Sequence, residues 1–132
     1  MYIMSKNKSL DKGRKREREV VREIKRTGIE AKRVPLSGST EFAKGDVHMC
    51  IDGKFYIGEV KYQSTGFKQI YKYLEGRDIL FCKGSRKGWI VVMREDMFFN
   101  LLEIISRISS MSGKIKEVLE DGSIQEERRE NE

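Results

Sequence analysis

The chain has 132 residues, enough to bury one hydrophobic core and too few for two. Its 27 Lys and Arg against 21 Asp and Glu leave a net charge of +6, and the excess is local: residues 1–33 hold twelve basic and five acidic side chains, a balance of +7. No apolar run is long enough to span a bilayer and no hydrophobic stretch of signal length opens the sequence, so a soluble, cytoplasmic protein is expected.

A concentrated basic segment attracts polyanions, because neutralising phosphates releases their condensed counterions. Nucleic acid is therefore the first expected partner, although a Lys/Arg-rich helix also serves as a plain solvated face. A membrane surface fits less well, since acidic residues interrupt the basic ones from Gly13 to Arg26 and large apolar anchors are few.

From Lys12 to Thr27 the apolar residues Val20, Val21 and Ile24 recur at helical spacing, and Gly28 supplies a stop. Glu30 to Val34 reads as a short strand, and Pro35 to Lys44 as a loop of Pro, Gly, Ser and Thr. Asp46–Ile51 and Lys54–Tyr62 are β-rich runs joined by Asp52-Gly53, a dipeptide that favours a two-residue type I′ turn, so they form a hairpin. Phe67, Ile70, Tyr71 and Leu74 mark a second amphipathic helix ended by Gly76. Asp78–Cys82 and Trp89–Met93 read as two further strands around a polar turn, with Trp89 and Tyr71 suited to core packing.

Glu95–Ile108 forms a third helix whose apolar residues cover more than one face, which suits either burial against the sheet or a subunit contact. The domain thus spans residues 1–112, and residues 113–132, with four basic and seven acidic side chains, read as an acidic, flexible tail. The order α-β-β-β-α-β-β-α implies an α/β fold, a mixed sheet flanked by helices. Cys50 and Cys82 lie far apart in apolar contexts, without a Cys-x-x-Cys or His cluster, and read as buried thiols.

With Asp52 and Gly53 as the turn, Ile51 faces Lys54, and counting along both strands sets Asp46 opposite Glu59. Carboxylates placed so, with Cβ atoms roughly 4.5–5.5 Å apart, repel unless a cation intervenes. Alternation puts Lys61 on the Glu59 face. Two carboxylates and an ammonium suit phosphodiester hydrolysis: Asp46 and Glu59 would ligate Mg²⁺, with Mn²⁺ as a substitute, the Val60 carbonyl would add an oxygen, and Lys61 would position or deprotonate water or stabilise the transition state. The same spacing also fits a surface ion pair between Lys61 and Glu59 or Asp46.

Glu17 precedes Val20, Val21 and Ile24 by three, four and seven positions and so faces inward from the first helix, or serves the dipole of its first turns. His48, the single histidine, pairs in this count with Ile57 on the Asp46 face, where a structural role suits it best. Gly84–Gly88 reads as a hairpin turn.

Gly45-Asp46, the hairpin and Glu59-Val60-Lys61 resemble the PD-(D/E)xK nuclease signature, with Gly45 where Pro is often found. Upstream, Lys12-Gly13, Glu17-Arg18-Glu19 and Arg33-Val34-Pro35-Leu36-Ser37 look like the archaeal-type Holliday junction resolvases of that superfamily. The resemblance runs from Lys12 to Tyr62. It implies a restriction-endonuclease-like fold and Mg²⁺-dependent DNA cleavage, with Glu17, Asp46, Glu59 and Lys61 as the catalytic set. It also implies DNA contacts from Arg18, Arg33 and Ser37, to which the basic cluster adds Arg14, Lys15 and Arg16.

A resolvase cuts a four-way junction symmetrically, which calls for a homodimer. Two other functions compete: a nuclease acting on flaps, single strands or duplex ends, suggested by Gln69 and Tyr73, and a non-catalytic nucleic-acid-binding module of the same fold.

Overall fold

The computed structural model describes residues 2–34 and 46–130, with side chains over 12–34 and 46–122. The order of elements is α1 (Tyr2–Arg26), β1 (Glu30–Arg33), β2 (Val47–Ile51), β3 (Lys54–Gly58), α2 (Lys68–Leu74), β4 (Ile79–Lys83), β5 (Trp89–Met93) and α3 (Glu95–Glu130). That is the expected α-β-β-β-α-β-β-α series of an α/β chain, consistent with a restriction-endonuclease-like fold. Pro35 to Lys44, read as a loop and including Ser37, lies outside the described residues.

The strands form two antiparallel sheets, β1-β2-β3 and β4-β5, where the sequence suggested one mixed sheet. Each pair joined by a tight turn closes with little loop entropy, which favours these local hairpins. The β2–β3 register is the counted one, with Ile51 against Lys54 and His48 against Ile57. Asp52 and Gly53 both have positive φ, 51° and 75°, as a type I′ turn requires.

The core gathers Val21 and Ile24 from α1, Ile29, Ala31 of β1, Val47 of β2 and Leu102 of α3. Strand alternation explains which sheet face it uses: Ala31 pairs with Met49 and Arg33 with Val47, and cross-strand partners share a face. The edge strand β3 leaves Phe55, Tyr56 and Ile57 exposed. Trp89 and Tyr71 are 65% and 71% exposed, so neither belongs to the core. Lys83 instead covers the Trp89 ring at 5.6 Å. Cys50 and Cys82 are free and half-buried, less enclosed than their apolar neighbours implied.

Helix α1 begins ten residues before the expected start, since no Pro or Gly precedes Gly13 to oppose helix formation. Its end is tightly specified. The Thr27 hydroxyl donates to the Ile24 carbonyl at 2.6 Å, and the Gly28 amide donates to Lys25 at 3.0 Å. Gly28 adopts φ +93°, and a Cβ there would come within 2.2 Å of Ser106 Oγ on α3. Gly28→Ala is expected to cost about 1–3 kcal/mol through strain and this clash. A denaturant melt with an unchanged midpoint would rule the contact out.

Helix α3 departs most from expectation. It continues through the segment read as a flexible tail and reaches Glu130. Met111, Ile115 and Val118 keep the helical spacing beyond Ile108, and no proline interrupts it. Among the described residues, no helix is long and apolar enough to cross a membrane.

Candidate functional site

Asp46 sits where three strands meet. The Val34 amide donates to its carbonyl and its own amide donates to the Gly58 carbonyl, both at 2.9 Å. Its carboxylate accepts the Val60 amide, also at 2.9 Å. The regular ladder ends one pair earlier, at Val47 opposite Gly58, so Asp46 and Glu59 do not continue it as counted. The physical reason is the bond from the Asp46 amide to Gly58, one residue out of step with that ladder. The Asp46 side chain is thereby aimed across the chain at the Val60 amide.

Beyond β3 the residues alternate. Val60 packs against the core, and Tyr62 lies beneath the Arg16 guanidinium of α1, 4.4 Å from its ring centre. Glu59 and Lys61 pair with each other at 3.1 Å, both more than half exposed. The surface ion pair and the catalytic spacing thus coexist in the same two side chains. Such an exposed pair contributes little to stability, leaving both groups available to a substrate.

Glu17 does face inward, at 17% exposure, and its partner is Arg33, 3.1 Å away. Two side chains selected from distant parts of the sequence therefore meet beside Val47, the residue after Asp46. Glu17 does not converge with Asp46 and Glu59: among the described residues no three His, Cys, Asp or Glu side chains are grouped to hold a metal ion. The oxygen donors expected for a cation are the Asp46 and Glu59 carboxylates and the Val60 carbonyl. That set fits Mg²⁺, a hard ion commonly held by one or two carboxylates together with waters and substrate phosphates.

The five DNA-contact candidates among the described residues divide. Arg33 holds Glu17, and Arg16 pairs with Glu19 at 3.2 Å while covering Tyr62. Arg14, Lys15 and Arg18 make no ion pair with another described residue, and their spacing of three and four puts them on one side of α1. A groove between α1 and α3 is lined by Glu19, Glu23, Glu95, Asp96 and Glu103 with Arg22 and Arg26, an acidic lining unsuited to a phosphate backbone. It includes none of Asp46, Glu59 and Lys61.

A family model described as archaeal Holliday junction resolvase (Hjc) matches residues 8–97. The chain belongs to that family. No curated protein and no solved structure matches the chain significantly. The resolvase match extends the resemblance seen over Lys12 to Tyr62 through α2, β4 and β5, and stops as α3 begins. In this resolvase-family chain, Tyr62 is the contact that sequence reading passed over. The available signal was its alternation with Lys61, which sends it toward α1. Arg94 was also passed over: its guanidinium donates to the carbonyls of Leu74 and Arg77, tying the end of α2 to the start of α3.

Proposed function

We propose that the chain is a divalent-metal-dependent endonuclease that resolves four-way DNA junctions as a homodimer. The family match carries this reading, because residues 8–97 enclose Glu17, Asp46, Glu59 and Lys61 in the expected order. Asp46 and Glu59, with the Val60 carbonyl, would hold the ion. A bound Mg²⁺ or Mn²⁺ would polarise the scissile phosphate and lower the pKa of a water molecule.

The chain's own side chains have separate tasks in this reading. The Val60 amide orients the Asp46 carboxylate, and a fixed ligand loses less entropy when it engages its target. Lys61 supplies positive charge beside Glu59, suited to the charge that grows on the phosphate oxygens. Glu17 positions Arg33, and its inward location favours support of the site over direct contact with the reacting phosphate. Arg14, Lys15 and Arg18 would hold phosphates, which sets orientation without reading bases. Recognition then follows the shape of branched DNA.

Purified protein with Mg²⁺ is expected to cut a four-way junction and to spare linear duplex of the same sequence. Removing metal with EDTA abolishes cutting, and added Mg²⁺ or Mn²⁺ restores it. Equal cutting of linear duplex would exclude the junction preference, and cutting that persists in EDTA would exclude the metal.

A further inference from the structure

Every residue from Arg107 to Gly122 of α3 is exposed, so the distal part of this helix leaves the core behind at Ser106. Its apolar residues are nevertheless ordered. Leu101, Ile104, Ile108, Met111, Ile115 and Val118 follow one another at alternating separations of three and four, the spacing of a coiled-coil seam. The outermost of them, with the adjacent Leu119, are 57–71% exposed. The same stretch contains Ser109, Ser110, Ser112 and Gly113, all weak helix formers. A helix of this composition depends on packing of its apolar side for stability.

We propose that residues 108–119 pair antiparallel with the same segment of a second copy of this chain. Charge sets the direction. Residues 107–116 include Arg107, Lys114 and Lys116 and no acid, whereas residues 117–121 include Glu117, Glu120 and Asp121 and no base. Parallel helices would set like charges side by side. Antiparallel helices with Ile108 against Val118 and Met111 against Ile115 form a seam of apolar layers, with Arg107 beside Asp121 of the second copy at both ends and the two Lys114 side chains meeting only at its centre.

The area is adequate for a specific but modest contact. Five exposed apolar side chains per copy, hiding roughly 100 Å² each, amount to about 1,000 Å² across the pair, the lower bound for a specific interface. The segment lies wholly outside the family match, which ends at residue 97. It would be an added tether between two nuclease bodies. In that purpose it rests on the two-site reading above, although the pairing itself is measurable without cleavage.

Disulfide trapping in the full chain tests it, in a background with Cys50→Ser and Cys82→Ser. Arg107→Cys and Asp121→Cys are made as separate proteins. In the antiparallel pair, the two copies of position 107 lie about 21 Å apart at 1.5 Å per residue, too far to bridge, while 107 of one lies beside 121 of the other. Mild oxidation should therefore link a mixture of the two proteins and neither alone, and Ile115→Glu in both should abolish the link. Self-linking of either single variant, no link in the mixture, or a link that survives Ile115→Glu would overturn the proposal. Circular dichroism checks that each variant remains folded. Junction cleavage by the unmodified protein is measured in parallel: cleavage without trapping refutes the tether alone, and trapping without cleavage refutes the resolvase reading alone.

Discussion

Asp46→Asn should lower the rate of junction cleavage by about a hundredfold or more while leaving junction binding near the level of the unsubstituted protein. The substitution is nearly isosteric, and the amide oxygen of Asn can still accept the Val60 amide that the carboxylate holds at 2.9 Å. What disappears is the negative charge that a divalent cation requires. The phosphate contacts assigned to Arg14, Lys15 and Arg18 lie on another element and are untouched.

Asp46→Ala makes an instructive contrast. It removes both the charge and the partner of a part-buried amide, and leaving that donor unpaired costs about 1–3 kcal/mol. Thermal unfolding should therefore separate the two variants, with Asn near the parent and Ala lower. Single-turnover cleavage and a gel-shift on the same junction complete the comparison. Cleavage by Asp46→Asn at the parental rate would remove Asp46 from the catalytic centre. Loss of both binding and folding would make its role architectural.

The second large effect concerns the framework that holds the centre in place. Leu102 is 2% exposed and packs with residues of α1, β1 and β2, joining α3 to the sheet that carries Asp46. Leu102→Ala is expected to cost about 2–5 kcal/mol, the sum of lost transfer free energy and an incompletely collapsed cavity. Against a total stability of about 5–15 kcal/mol for a domain, that is a large fraction. Urea unfolding should show the midpoint fall with little change in slope. A loss under about 1 kcal/mol would mean that the α3 packing at this position is loose. The effect should be greater than that of Ile108→Ala, because Ile108 is 61% exposed on the same helix.

Acidic and basic groups also divide the surface in a way relevant to function. Exposed Glu59 and Lys61 lie on one side of the chain leaving β3, while Val60 and Tyr62 turn toward the core and α1. The α1–α3 groove, with five carboxylates, disfavours DNA. In the proposed reading a phosphate backbone would approach the open Glu59–Lys61 surface and not this groove.

Several features were legible in the residues themselves because their causes are local. Asp52-Gly53 accommodates two successive positive φ angles, so the turn, its register and the His48–Ile57 pairing follow from a dipeptide. Gly28 and the period of Val20, Val21 and Ile24 specify where α1 stops and which side it buries, and the same period turns Glu17 inward. The combined order of Lys12-Gly13, Glu17-Arg18-Glu19, Arg33-Val34-Pro35-Leu36-Ser37, Gly45-Asp46 and Glu59-Val60-Lys61 was enough to indicate the resolvase family.

Tertiary structure decided what those residues touch. Arg33 neutralises Glu17 across sixteen positions and the Val60 amide engages Asp46 across fourteen, and neither spacing belongs to a helix or strand period. The step out of register at Asp46 arises because its amide is drawn to Gly58 while its carbonyl serves Val34. The separation of the five strands into two sheets depends likewise on which elements pack together. Turn chemistry and periodicity act over a few residues, whereas the partner of each charged group depends on which elements the buried core of Val21, Ile24, Ile29, Ala31, Val47 and Leu102 brings together.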